Sequence, residues 1–251
     1  AKSVSGAAFN RDETRILTWS ADSTARLWSA DQNGPIQTFK HDGEVKGAVF
    51  DGDDKRILTW SKDKTARLWK VGKGEPNKDE PINIFKHKGE VYGAVFNCDG
   101  SRILTWSEDG KARLWEVNRD EPMQTFKHEG EVYGAVFDRD EERILTWSKD
   151  RTARLWAVGH DGLIIQTFKH GNWVYGAVFD RKEIRILTWS ADGKVRLWKV
   201  DDNLPLDLDE NLLGLEIRSA TVLPNSSELQ VITSDQRNEK KSRLEAIHRK
   251  R

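Results

Sequence analysis

Residues 91–126 read VYGAVFNCDGSRILTWSEDGKARLWEVNRDEPMQTF. Four short runs stand in this stretch: Val91 to Phe96, Arg102 to Ser107, Lys111 to Val117 and Met123 to Phe126. None reaches the roughly 10–12 residues a helix wants, and they are rich in Val, Ile, Thr, Phe and Trp, the strand formers. Turn signals part them: Asn97-Cys98-Asp99-Gly100, then Glu108-Asp109-Gly110, then the run from Asn118 to Pro122. Four antiparallel strands in meander order follow. Ile103 and Thr105 fall on one face, Leu104 and Trp106 on the other, so such a sheet has to be covered on both sides.

The stretch recurs. Trp19, Trp60, Trp106, Trp147 and Trp189 each sit in the string Arg-Ile-Leu-Thr-Trp-Ser, and Trp28, Trp69, Trp115, Trp156 and Trp198 each close an Arg-Leu-Trp string. The second series is spaced by 41, 46, 41 and 42 residues, and of the eleven tryptophans only Trp173 stands outside both. A period of about 40–45 residues points to propeller blades or helical arrays, and the short runs choose the first. The expected fold is all-β, a β-propeller array of five four-stranded antiparallel blades over residues 1–200. Residues 201–251 are expected to form a C-terminal extension, strand-like around Leu213 to Arg218, then a basic helix to Arg251.

Composition removes several function classes. Lys plus Arg number 41, and so do Asp plus Glu. A net charge of zero argues against holding nucleic acid or membrane by bulk electrostatics. No run approaches the roughly 20 apolar residues of a spanning helix. The one cysteine, Cys98, excludes an internal disulfide framework and fits a reducing, cytoplasmic compartment. No metal or cofactor is expected: Cys98 has no cysteine partner, and the repeated histidines stand 41 to 46 residues apart. His160 and His248 are isolated, and the polar insertion from Gly72 to Pro81 lacks the Gly-Lys-Ser/Thr ending of a phosphate-binding loop.

A second regularity carries more chemistry. His41, His87, His128 and His170 precede Ser61, Ser107, Ser148 and Ser190 by 20 residues and Asp63, Asp109, Asp150 and Asp192 by 22. Trp69, Trp115, Trp156 and Trp198 follow at 28. Ser, His and Asp together suggest a nucleophilic triad. Recurrence at one spacing argues instead for structure, because a catalytic set is needed once. The expectation is a relay from indole N–H through the Ser hydroxyl and His to Asp, satisfying buried polar groups within each unit.

With these residues quoted, the chain resembles the WD-repeat β-propeller family, over residues 1 to about 200. The family motif is a His before the first strand, an Asp in the turn between the second and third, and Trp-Asp at the end of the unit. Here Phe-Lys usually precedes the His, and Ser29, Lys70, Glu116, Ala157 and Lys199 replace the final Asp. The near-identity of the units is similar to that of bacterial members with a multiplied blade. The resemblance implies a rigid, non-catalytic platform for binding other proteins, within a larger signalling or regulatory protein or assembly.

Five units begin at Val4, Val45, Val91, Val132 and Val174, whereas most family members close with seven. The first unit lacks its leading strand and His. Three completions of the array are open: further blades of the same polypeptide, an edge supplied by another chain, or the C-terminal segment. A part of a larger propeller-containing protein is the favoured expectation.

Binding is expected where the units differ. Ser3, Glu44, Glu90, Glu131 and Trp173 precede the first-strand Val, and Ser5, Lys46, Tyr92, Tyr133 and Tyr175 follow it. Exposed Tyr and Trp are common binding anchors. Trp173, Tyr175, Tyr133, Tyr92 and Lys46 are therefore the candidate partner-binding residues, with Lys62, Lys64, Lys149 and Arg151 adding positive charge nearby. Two other classes compete. Residues 237–251 carry seven Arg or Lys against two Glu, a tail suited to nucleic acid or another acidic partner. An enzyme using the channel would need a unique cluster of acids, His or metal ligands, and no unit supplies one.

Overall fold

The computed structural model describes residues 3–72, 80–160 and 162–200. The chain divides into Ala1–Leu204 and Pro205–Arg251, and the second unit lies outside the described residues, as do residues 73–79 of the insertion. The strand, the basic helix and the tail expected after residue 200 therefore lie outside them too.

Nineteen strands are described. The first sheet holds β1 (Val4–Phe9), β2 (Arg15–Ser20), β3 (Thr24–Ser29) and β4 (Pro35–Lys40). The second holds β5 (Val45–Phe50), β6 (Arg56–Ser61), β7 (Thr65–Lys70) and β8 (Asn83–Lys86). The third holds β9 (Val91–Phe96), β10 (Arg102–Ser107), β11 (Lys111–Glu116) and β12 (Gln124–Lys127). The fourth holds β13 (Val132–Phe137), β14 (Arg143–Ser148), β15 (Thr152–Ala157) and β16 (Ile164–Lys169). The fifth holds β17 (Val174–Phe179), β18 (Arg185–Ser190) and β19 (Val195–Lys199). Every sheet is an antiparallel meander, each strand bonded to its sequence neighbour. Four sheets thus have the expected four strands, and three are described in the fifth.

Local chemistry sets each turn. Between the first two strands of a sheet, the side-chain oxygen of Asn10, Asp51, Asn97, Asp138 or Asp180 accepts the N–H of the Arg that opens the second strand, at 2.8–3.1 Å. This ties off a backbone donor that would otherwise be lost to the turn.

The core lies between sheets. Leu17, Leu27 and Phe39 of the first sheet pack on Val45, Ile57 and Trp69 of the second. The same residue types fill the next three spaces, ending with Leu145, Leu155 and Phe168 against Val174, Ile186 and Val200. Both faces of an internal sheet are therefore buried, which is why its strands read apolar on both sides. Among the described residues, apolar side chains stand exposed on the outer faces of the first and fifth sheets: Val4 and Phe9 on the first, Val195 and Leu197 on the fifth.

Candidate functional site

The strands place the variable positions in an unusual backbone setting. In the second sheet Val45 pairs with Ser61 but Gly47 pairs with Trp60, so Lys46 has no partner residue. The same one-residue bulge isolates Ser5, Tyr92, Tyr133 and Tyr175. A bulge leaves its extra residue unpaired and re-aims the side chain. Four of the five sequence candidates, Lys46, Tyr92, Tyr133 and Tyr175, are these bulge residues.

The loops on either side meet. The N–H groups of Lys62, Glu108, Lys149 and Ala191 donate to the carbonyls of Glu44, Glu90, Glu131 and Trp173 at 2.8–3.0 Å, joining the turn after the second strand to the loop before the first. Across sheets the tyrosines form a ladder. The rings of Tyr92 and Tyr133 are 6.3 Å apart and those of Tyr133 and Tyr175 6.4 Å, within the range of aromatic pairs. Tyr175 is 53% exposed and Trp173 41%, so the ladder opens to solvent at the fifth sheet.

Charge is arranged sheet by sheet along this rim. Glu44 pairs with Lys46 at 3.1 Å and Lys62 at 2.7 Å, and hydrogen bonds from those lysines hold its carboxyl below the usual range. Glu131 pairs with Lys149 at 2.6 Å and accepts the Tyr92 hydroxyl at 3.0 Å. Burial pushes the Tyr92 phenol up, and its bond to Glu131 pushes it further, so it stays a donor. The Lys149 ammonium sits 5.0 Å from the Trp173 ring centroid, a cation–π contact reaching from the fourth sheet to the fifth. The third sheet differs: among the described residues neither Glu90 nor Glu108 has an ion pair, and Glu108 accepts only the Glu90 N–H at 3.2 Å. Lys64 and Arg151 occupy left-handed turn positions at φ 70° and 71°.

Beneath the rim lies the recurring polar set. The indole N–H groups of Trp69, Trp115, Trp156 and Trp198 donate at 2.8 Å to the hydroxyls of Thr59, Thr105, Thr146 and Thr188. Nε2 of His41, His87, His128 and His170 meets the same hydroxyls at 2.6–2.7 Å. Nδ1 of His41 and His128 lies 2.8 Å from Asp63 and Asp150. In the other two sets it lies 3.4 Å from Asp109 and Asp192, with the guanidinium of Arg113 or Arg196 against it. Burial pushes each His below its ordinary value, against the pull of the neighbouring Asp. Burial works against ionisation of Asp63, Asp109 and Asp150 as well, but hydrogen bonds from the His and from neighbouring groups outweigh it and hold them far below the carboxylate range. Asp192 is depressed too, with the Gly171 N–H and Arg196 outweighing its desolvation.

The serine assignment is corrected by this geometry. Ser61, Ser107, Ser148 and Ser190 are not the link between tryptophan and histidine; threonine is. Strand register explains it, since Trp69 stands opposite Ile57, which makes Thr59 its diagonal neighbour and puts Ser61 two residues further off. Two residues of strand are about 6–7 Å, beyond hydrogen-bond reach. The serines instead accept the N–H of Asp63, Asp109, Asp150 and Asp192 at 3.0–3.1 Å. Ser61, Ser148 and Ser190 also donate to the carbonyls of Gly43, Gly130 and Asn172 at 3.0 Å. They close the turn against the loop; the threonines were legible only as strand residues. A serine so engaged has no histidine to activate it.

Among the described residues no group of three or more His, Cys, Asp or Glu could hold a metal ion, and no helix is long and apolar enough to cross a membrane. His248 and residues 237–251 lie outside the described part.

A search of curated proteins returned no match. The family model for the WD domain, G-beta repeat (WD40), matches residues 33–70, 79–116 and 120–157. Each matched stretch starts one strand ahead of a sheet, as 33–70 runs from β4 to β7, and each contains one complete Trp–Thr–His–Asp set. These three stretches are WD40 repeats, and the four-stranded antiparallel sheets are consistent with WD-repeat blades.

Proposed function

We propose that this chain is a non-catalytic scaffold that binds a protein segment along the bulge rim, with Trp173 and Tyr175 as anchors. WD40 repeat domains are typically protein-interaction scaffolds. The observation that carries the reading is the ladder Tyr92–Tyr133–Tyr175: three aromatic residues stand at bulge positions, each freed from strand pairing at the same place in its blade. Large rings with few rotatable bonds give contact area at small entropic cost. Among the described residues Glu90 and Glu108 flank the half-buried end of the ladder without an ion pair, so the segment best suited carries an apolar side chain at Trp173 and Tyr175 and a Lys or Arg at the third blade. A role within a larger signalling or regulatory assembly is part of the same proposal.

The test is capture from a lysate of cells that express the protein, with wild type beside the Trp173→Ala/Tyr175→Ala double variant. Partners held by the wild type should be lost from the double variant, whose fold is checked by circular dichroism. A folded double variant that keeps every partner would remove this rim from consideration.

A further inference from the structure

Three positions recur around the buried His–Asp set of the internal sheets. One follows the His, one stands two residues after the Asp, and one ends the last strand of the sheet. The buried Asp draws the first two together, because its carboxylate accepts both backbone N–H groups. Asp63 accepts from Asp42 and Thr65, Asp109 from Lys88 and Lys111, and Asp150 from Glu129 and Thr152, at 2.9–3.2 Å. Strand register brings in the third position, since Thr65 stands opposite Lys86, Lys111 opposite Lys127 and Thr152 opposite Lys169. In the second and fourth sheets the trio is therefore an acid, a threonine and a lysine. In the third it is Lys88, Lys111 and Lys127.

The exchange costs the third sheet internal bonds. Thr65 and Thr152 donate to the Asp at 2.6 Å and accept from Arg67 and Arg154 at 3.1 and 3.2 Å. Lys111 can do neither, and Arg113 lies against His87 instead. Asp42 pairs with Arg67 at 2.8 Å, a bond that Lys88 at the matching position cannot make with Arg113. Two lysines directly opposite one another on neighbouring strands also repel. Asp109 does not offset this, because it is buried against His87 and Arg113. Among the described residues none of the three lysines makes an ion pair, and neither do Glu90, Glu108 and Glu129 near them in sequence. Lys88 and Lys127 are exposed. A local rule broken without an internal gain marks a place used for something else.

We propose that Lys88, Lys111 and Lys127 hold the carboxylates of an acidic segment of a partner protein, at the β12 edge of the third sheet. This sheet has a neighbour packed on each face, so the trio lies on neither end of the array. Its apolar surroundings choose a protein over a phosphate backbone. Met123 continues β12, its N–H donating to the Leu114 carbonyl at 2.8 Å, and at an even separation from Lys127 it falls on the same face. Met123 is 46% exposed. The segment that fits therefore carries two acidic residues and, about four residues along an extended stretch, a large apolar side chain. A phosphate backbone would neutralise the lysines and leave Met123 bare. This surface is distinct from the bulge rim and does not depend on that reading.

Fluorescence anisotropy on the full chain tests this. The probe is a fluorescein-labelled peptide with two glutamates and, about four residues on, a leucine. It should bind saturably, and less well as salt is raised. Lys88→Asp/Lys111→Thr installs the second sheet's own residues, so the fold, checked by circular dichroism, should be kept. That variant should lose affinity roughly tenfold or more. Met123→Ser should weaken binding as well, and replacing the leucine of the peptide by serine should then add little further loss. Lys182→Gln, in the β17–β18 turn, and Trp173→Ala/Tyr175→Ala should both bind as wild type does, which separates this site from general surface charge and from the rim. A peptide that fails to bind wild type would overturn the proposal, as would one held equally by Lys88→Asp/Lys111→Thr or weakened equally by Lys182→Gln. An oligothymidylate of equal charge that binds more tightly through the same lysines would give the site to nucleic acid and overturn it too.

Discussion

Gly47 lies against the indole of Trp60, its register partner across β5 and β6, so closely that a Cβ on Gly47 would stand 2.0 Å from a ring carbon. The pairs Gly6–Trp19, Gly93–Trp106, Gly134–Trp147 and Gly176–Trp189 repeat it. The tryptophan needs that space because the next blade closes over it, as the core around Leu58, Val91 and Ile103 closes over Trp60. Neither the strand backbone nor the neighbouring blade can retreat without opening the core. Gly47→Ala or Gly93→Ala should therefore destabilise the protein by about 1–3 kcal/mol, the usual cost of overpacking. Urea unfolding checks it, and an unchanged midpoint would contradict the close packing.

Threonine and serine separate by mutation. Thr146→Val keeps the shape of the side chain but strips the acceptor from the Trp156 N–H and the partner from His128 Nε2. It should cost about 1–3 kcal/mol, the penalty for orphaned buried polar groups. Thr146→Ser retains the hydroxyl and should recover most of the loss. A Thr146→Val protein as stable as wild type would mean the network has another way to satisfy both groups.

Acid should loosen the fold in two stages. His41, His87, His128 and His170 are held neutral by burial in the folded state, while unfolded histidines protonate near about pH 6.5. As pH drops below that value the unfolded chain binds protons the folded one refuses, so stability falls. The paired aspartates add a second loss. Their folded-state values lie well below the ordinary 3.8, so the stability they give is present above that pH and is lost as pH falls past it. The urea midpoint should decline between about pH 7 and 5, then more steeply below about pH 4. His128→Gln should flatten the first decline; a midpoint independent of pH between 7 and 5 would mean that the histidines take up protons alike in the folded and the unfolded chain, and that burial does not hold them neutral.

The blade itself was legible. Val91 to Phe96 and Arg102 to Ser107 are β9 and β10 to the residue, and the next two runs match β11 and β12 within one residue at each end. Strand period, turn residues and repetition agree there, and nothing distant competes. What repetition hid was anything decided by register. Thr59 and Ser61 recur at equally constant spacing, so no count of residues distinguishes them; only the pairing of Trp69 with Ile57 does. The bulge at Tyr92 was likewise invisible, because one unpaired residue leaves the apolar pattern of Val91 and Gly93 intact. Exposure of Trp189 could not be read either, since Trp60 and Trp106 stand in the same string and differ in that the next blade packed on them is among the described residues.

The one-strand offset between repeat and sheet has a consequence for how such a chain changes length. Residues 79–116 supply the last strand of one sheet and the first three of the next. Removing residues 79–119 would carry β7 into β12, whose Gln-Thr-Phe-Lys takes the place of Asn-Ile-Phe-Lys in β8. Every remaining sheet would still have all its strands, and every remaining junction both its halves. A copying error one period long therefore adds or deletes a blade without leaving a seam. The unit that recombination handles and the unit that packs are different cuts of the same pattern, and that difference lets the array be edited as a ribbon instead of rebuilt as a set of parts.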